Sequence, residues 1–238
     1  TNYLFLGFNR VSFPLLSKIN DNDNDTKLKS IYKRLMIQVI FWNTPILIIL
    51  GVLAQPLFRF MLTEKWLSAV PYFQVLVIAG LIFPLHRYNL NICYVKGRSD
   101  IVLKLSVFQN ILTIIGAFMA IWFGIYGLLW SIVFVNLIIA IVNANYSGRL
   151  INYSIMEQLK DITPIIIIGV FTGVITYWMD YILIIGEYSD FIRLLISSIV
   201  GIVSYLILSY ITKSPAIREI ILIAQPIIEK IKKKTIKR

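Results

Sequence analysis

Apolar blocks of about 20 residues alternate with short polar stretches along the whole chain, a rhythm that predicts helices long enough to cross a bilayer. Six full spans are predicted, over Met36–Leu62, Val70–Val95, Ile101–Phe123, Ile125–Ser147, Pro164–Ile185 and Phe191–Thr212. None shows the two-residue alternation that a membrane β-barrel requires. Residues 1–17 are apolar too, but as a helix they reach only about 26 Å, just short of the hydrocarbon core. They predict the end of a span that begins upstream, so the chain reads as a fragment. The fold class is therefore all-α, a polytopic transmembrane bundle of six full spans and one partial N-terminal span. Its expected organisation is a truncated helix end at 1–17, a basic cytoplasmic loop at 18–35 and four spans of one lobe at 36–147. A cytoplasmic loop at 148–163, two additional spans at 164–212 and a basic tail at 213–238 follow. Uncharged Gly124–Gly127 makes the third and fourth full spans a tight hairpin. In the tail, Ile217, Ile220, Ile221, Ala224, Ile227, Ile228 and Ile231 recur at helical spacing, predicting an amphipathic helix on the membrane surface, broken at Pro226.

Composition agrees with the pattern. The 238 residues are 58% apolar and 15% charged, with a mean hydropathy of +0.78, whereas soluble domains are about 45–50% apolar and about 25% charged. A soluble enzyme, a DNA-binding domain and a disulfide-stapled secreted domain are disfavoured. The net charge of +11 is concentrated beside apolar blocks: eight of 23 Lys and Arg lie between Lys213 and Arg238, and five between Lys18 and Arg34. The expected polyanion is the anionic phospholipid of the cytoplasmic leaflet, not nucleic acid. Basic and charge-poor loops alternate strictly, which puts the C-terminus and the Lys18–Arg34 stretch in the cytoplasm. The single Cys93 falls inside an apolar block and reads as a small buried residue.

Chemistry-bearing residues are few. No Asp or Glu lies within the predicted spans up to Met179, nor between Phe191 and Thr212. One His and one Cys cannot form a triad or a metal site, and no phosphate-binding Gly-rich loop is present. No cofactor and no metal are expected, and the chain does not read as the catalytic part of an enzyme. The embedded charges are basic. Arg59, Arg193 and Lys104 lie near span ends, where snorkelling explains them. Arg87 lies about 12 Å from the inner end of its span, with Asn91 one turn below, and Arg10 holds a comparable depth in the partial span. Cations facing an acid-free cavity suit a phosphate or other anionic group in transit. The plainer alternative has Arg87 holding carbonyls freed by Pro84. Lys96, Arg98 and Asp100 form a cytoplasmic turn or gate element, and Trp66 an interfacial anchor. The prolines and the Gly169–Gly173 pair read as packing devices.

The run Val11-Ser12-Phe13-Pro14-Leu15-Leu16-Ser17-Lys18 resembles the "FP.LS+" segment of bacterial polysaccharide flippases. Thr44-Pro45, Ala54-Gln55-Pro56-Leu57, Glu64-Lys65-Trp66-Leu67, Phe83-Pro84-Leu85-His86 and Lys96-Gly97-Arg98-Ser99-Asp100 continue the series. Together they resemble the Wzx and teichuronic-acid exporter group of the multidrug/oligosaccharidyl-lipid/polysaccharide superfamily, over Val11 to about Lys104. The resemblance implies a carrier of about fourteen spans in two lobes plus two helices, of which this chain is the C-terminal half. It implies a polyprenyl-pyrophosphate-linked oligosaccharide as substrate, moved to the outer leaflet of the bacterial plasma membrane by alternating access. Arg87 and Arg10 would then meet the pyrophosphate and sugars, and other polysaccharide-assembly membrane proteins would be partners. The readings left open are a drug or metabolite antiporter, which would favour buried carboxylates, a membrane-embedded polymerase, which needs a large outer loop, and a scaffold.

Overall fold

A computed structural model describes residues 13–20 and 25–217. Among them no strand occurs, and seven α-helices succeed the helical residues 13–20: α1 (Asp25–Val52), α2 (Ala54–Leu62), α3 (Val70–Val95), α4 (Ser99–Ala120), α5 (Gly124–Ile151), α6 (Ile155–Ile185) and α7 (Asp190–Ile211). Short 3₁₀ turns, Glu64–Ala69 and Ile121–Phe123, join α2 to α3 and α4 to α5. Among the described residues five helical segments are long and apolar enough to cross a membrane. One of them, Ser99–Ile151, folds back on itself at Ile121–Phe123, where Gly124 turns with φ +65°. The α4 and α5 arms pack closely, since a side chain at Gly116 would sit 3.1 Å from Val135.

Three helix boundaries differ from the sequence reading, each for a physical reason. The stretch expected as a loop over 18–35 is helical from Asp25, and α1 runs 28 residues, about 42 Å. Likewise α6 starts at Ile155, not Pro164, and runs 31 residues. Both exceed a hydrocarbon core of roughly 30 Å, so their polar first turns project beyond the apolar layer as helix. Ion pairs bind the projections together: Lys29 to Glu157 at 3.0 Å and Lys33 to Asp161 at 2.8 Å. Ser154 and Glu157 form a capping box that starts α6. Third, the predicted span Met36–Leu62 is divided at Leu53 into α1 and α2. Pro56 has no N–H to donate to the Val52 carbonyl, which interrupts the ladder there.

The core lies where α1, α3, α5 and α6 meet. Tyr32, Tyr88 and Tyr153 are fully buried and stack within it, with ring centroids 5.1 Å apart for Tyr32–Tyr88 and 6.2 Å for Tyr32–Tyr153. The Tyr153 hydroxyl donates to Asp161 at 2.6 Å. Burial first, and then that carboxylate, push the phenol's pKa up, which keeps it a donor. α7 docks through small residues: a side chain at Gly201 would lie 2.6 Å from the Thr176 hydroxyl of α6 and 2.9 Å from Ile49 of α1. Gly169 similarly lets Thr44 and Ile48 of α1 reach the α6 backbone. The expected amphipathic tail lies, beyond residue 217, outside the described residues.

Candidate functional site

Pro84 sits in the middle of α3 and leaves the Gly80 carbonyl without its helical donor. Asn43 of α1 supplies one, its Nδ2 lying 3.3 Å from that oxygen. Pro45 of α1 frees the Phe41 carbonyl in the same way, and the buried Tyr205 hydroxyl of α7 donates to it at 2.8 Å. Side chains of neighbouring helices thus repair both breaks, as lipid-embedded backbone demands. Below Pro84, Asn89 is fully buried and joins three helices. Its Oδ1 accepts from Tyr32 at 2.9 Å and from Ser147 of α5, and its Nδ2 donates to Leu85 O. Asn143 of α5 donates to His86 O at 3.1 Å. This lattice fixes the helix that carries Arg87.

Arg87 is exposed, its guanidinium 5.5 Å over the Phe83 ring. Among the described residues no carboxylate pairs with it. In the plainer alternative Arg87 would hold the carbonyl freed by Pro84; in the structure Asn43 of α1 donates to that carbonyl. Asn91, one turn below Arg87, is buried, and Arg10 lies outside the described residues. Neighbouring His86 is buried with its ring edge-on to Phe83 at 5.1 Å.

The Lys96–Asp100 turn does not form one cluster. Lys96 pairs with Asp25 at the start of α1, and Arg98 with Asp100 through two bonds of 2.9 Å. Gly97 turns there with φ +67°, and Asn20 donates to Val95 O at 3.2 Å. The turn is therefore tied to α1 and to residues 13–20. Trp66, on the 3₁₀ turn at the opposite end of α3, is 54% exposed.

The polar feature that sequence reasoning missed is at that opposite end. Asp180 falls near the end of the predicted span Pro164–Ile185 and Arg193 reads as a snorkelling residue, yet both are buried, and the guanidinium grips both carboxylate oxygens at 2.9 Å. Asp190 accepts from Arg193 at 2.8 Å and lies 3.7 Å from Arg59, which is 3.8 Å from Glu64. A signal for the pair exists in the chain: opposite charges 13 residues apart flank a short turn between two long helices, so both can meet across the hairpin. Among the described residues no cluster of three metal-ligating side chains occurs.

A family model described as polysaccharide biosynthesis protein matches residues 2–71. The lipopolysaccharide biosynthesis protein WzxC of Escherichia coli K12 is 32% identical over 105 residues, 44% of this chain and 21% of that protein. An uncharacterized membrane protein in the cps region of Klebsiella pneumoniae is 29% identical over 119 residues, 50% of this chain and 24% of its own length. In both cases the match spans under a quarter of the relative. No solved structure matches the chain. Over these stretches the chain is similar to proteins of polysaccharide biosynthesis, and its described residues carry five helical segments long and apolar enough to cross a membrane.

Proposed function

We propose that this chain is part of a multi-pass plasma-membrane transporter, rather than an enzyme, that moves polyprenyl-pyrophosphate-linked oligosaccharide units to the outer leaflet by alternating access. The polymers served would be lipopolysaccharide, capsule or exopolysaccharide. The observation that carries this reading is Arg87, an exposed cation deep in a span, with no carboxylate partner among the described residues on a chain whose first part matches polysaccharide biosynthesis proteins. A cation left unneutralised in a membrane is costly, and a phosphoryl group in transit is the ligand that relieves the cost. Arg87 is the anion contact in this reading, with Arg10 as a second cation and Asn91 as support. Trp66 anchors the outer face, the C-terminal tail meets anionic phospholipid in the cytoplasm, and other polysaccharide-assembly membrane proteins are partners. The Lys96–Asp25 pair ties the cytoplasmic turn to α1, so a motion parting α1 from α3 has to break it.

The test replaces Arg87 in the full-length native protein and follows polymer at the cell surface at matched protein abundance. Arg87→Ala is expected to lower surface polymer at least tenfold, about 1.4 kcal/mol or more of lost interaction. Arg87→Lys keeps the charge but not the planar fork and should fall between. Normal surface polymer in both variants would remove Arg87 from the site.

A further inference from the structure

The start of α6 and the end of α7 form a groove of about 520 Å³ that takes no part in the Arg87 face. The two helices run antiparallel through the turn at 186–189, which brings these ends together. Met156, Lys160, Pro164 and Ile167 mark one wall at helical spacing, and Thr212 closes the groove from α7. Lys160 stands four residues, about 6 Å, before the apolar run that begins at Pro164. From Lys160 to Ile168 the groove therefore runs about 12 Å, from headgroup level into the apolar layer.

Three observations define what it takes. First, its hydroxyls are turned onto their own helices, Thr163 donating to Leu159 O at 2.6 Å and Thr212 to Leu208 O at 2.8 Å. The wall is left apolar. Second, Pro164 has no N–H for the Lys160 carbonyl, which loses its helical donor. Both residues line the groove, so that acceptor opens on its wall. Third, Lys160 and Lys213 are exposed, and among the described residues neither pairs with a carboxylate. The acids nearest Lys160 in the chain, Glu157 and Asp161, are committed to Lys29 and Lys33. Lys213 directly follows Thr212 with φ +50°, the left-handed position past a helix end that usually falls to glycine. The groove between α4 and α5 is of similar size, about 630 Å³, but no charged residue lines it.

We infer that the α6–α7 groove holds an anionic phospholipid with a hydroxylated headgroup, the chemistry of phosphatidylglycerol. An acyl chain lies on the apolar wall, the phosphate meets Lys160 and Lys213, and a headgroup hydroxyl donates to the Lys160 carbonyl. A zwitterionic lipid brings its own cation against the lysines, and an anionic lipid without hydroxyls leaves the carbonyl unmet. This lipid is a bound companion and not cargo, so the test contains no lipid-linked saccharide. The full-length protein is held in phosphatidylcholine nanodiscs with a trace of phospholipid carrying a photoreactive diazirine in its acyl chain. The headgroup is phosphatidylglycerol, phosphatidylmethanol or phosphatidylethanolamine, and labelled chymotryptic peptides are quantified by mass spectrometry. Residues 156–168 are expected to label about fivefold more with phosphatidylglycerol than with phosphatidylethanolamine, the worth of one lysine near an anionic headgroup. Phosphatidylmethanol, with the charge but no hydroxyl, should fall between. The exposed residues 111–119 of α4 should label alike with all three. Replacing both lysines, Lys160→Ala with Lys213→Ala, should bring phosphatidylglycerol down to the phosphatidylethanolamine level. Pro164→Ala restores an N–H and should erase the advantage over phosphatidylmethanol, while Arg87→Ala should change nothing. Labelling of 156–168 by phosphatidylglycerol no greater than by either comparator overturns the inference, as does a preference that survives loss of both lysines. Labelling by none of the lipids means that protein covers the groove, and overturns it too.

Discussion

Pro45 and Pro84 are each paired with one distant donor, Tyr205 and Asn43, and neither partnership is visible from local sequence. A proline announces which carbonyl it frees, four residues earlier, but not which helix comes to cap it. Tyr205→Phe keeps the packing against Phe41, whose ring lies 5.0 Å away, and removes only the donor. The expected loss is about 0.6–1.7 kcal/mol, the range for hydrogen bonds between membrane helices, read as a lowered Tm of the purified protein. Breaking the Asp180–Arg193 pair costs more, because both groups are buried. Arg193→Leu strands a carboxylate and should cost about 3–5 kcal/mol. The double replacement Asp180→Leu with Arg193→Leu should recover most of that loss. Equal Tm values for the single and double variants would mean the pair is not a closed unit. Embedded arginines are legible one by one in the sequence, but whether each is paired depends on which helices face one another. Arg193 reads as a snorkelling residue near a span end, yet it is the one that the fold buries against Asp180, while the deeper Arg87 is exposed.

At the scale of the element, apolar blocks mark where helices exist and lose their ends. Hydropathy falls at Asp25–Arg34 and at Ile155–Thr163 because those turns leave the lipid, while the helices continue and pair through Lys29–Glu157 and Lys33–Asp161. The division at Leu53 is hidden for the opposite reason, since the flanking residues are equally apolar. Close packing follows the small residues that the sequence does display. A side chain at Gly169 would lie 2.6 Å from Thr44 Cγ2 and 2.7 Å from Ile48 Cδ1. Gly169→Val should therefore push α6 off α1 and cost about 1–3 kcal/mol, seen as a drop in Tm. The same change at Gly97 meets no atom within 4 Å and is penalised only through its positive φ.

For the whole molecule, two polar systems sit at opposite ends of the bundle. One binds Lys29, Lys33, Lys96 and Arg98 to acidic partners, and the other binds Arg59 and Arg193. Between them the described spans present mostly apolar faces, with Arg87 as the exposed cation on α3. The alternation of basic and charge-poor turns was legible throughout, because it depends only on composition. The pairing of those charges was not, because it depends on which helix ends lie side by side. Movement of a lipid-linked saccharide between leaflets is best followed with the full-length protein reconstituted in vesicles. Polyprenyl-pyrophosphate-linked oligosaccharide is loaded in one leaflet and its arrival in the other is timed. Transfer well above that of protein-free vesicles is expected, with Arg87→Ala at least tenfold slower. Transfer no faster than in protein-free vesicles, from protein that is folded and correctly inserted, would contradict a flippase role.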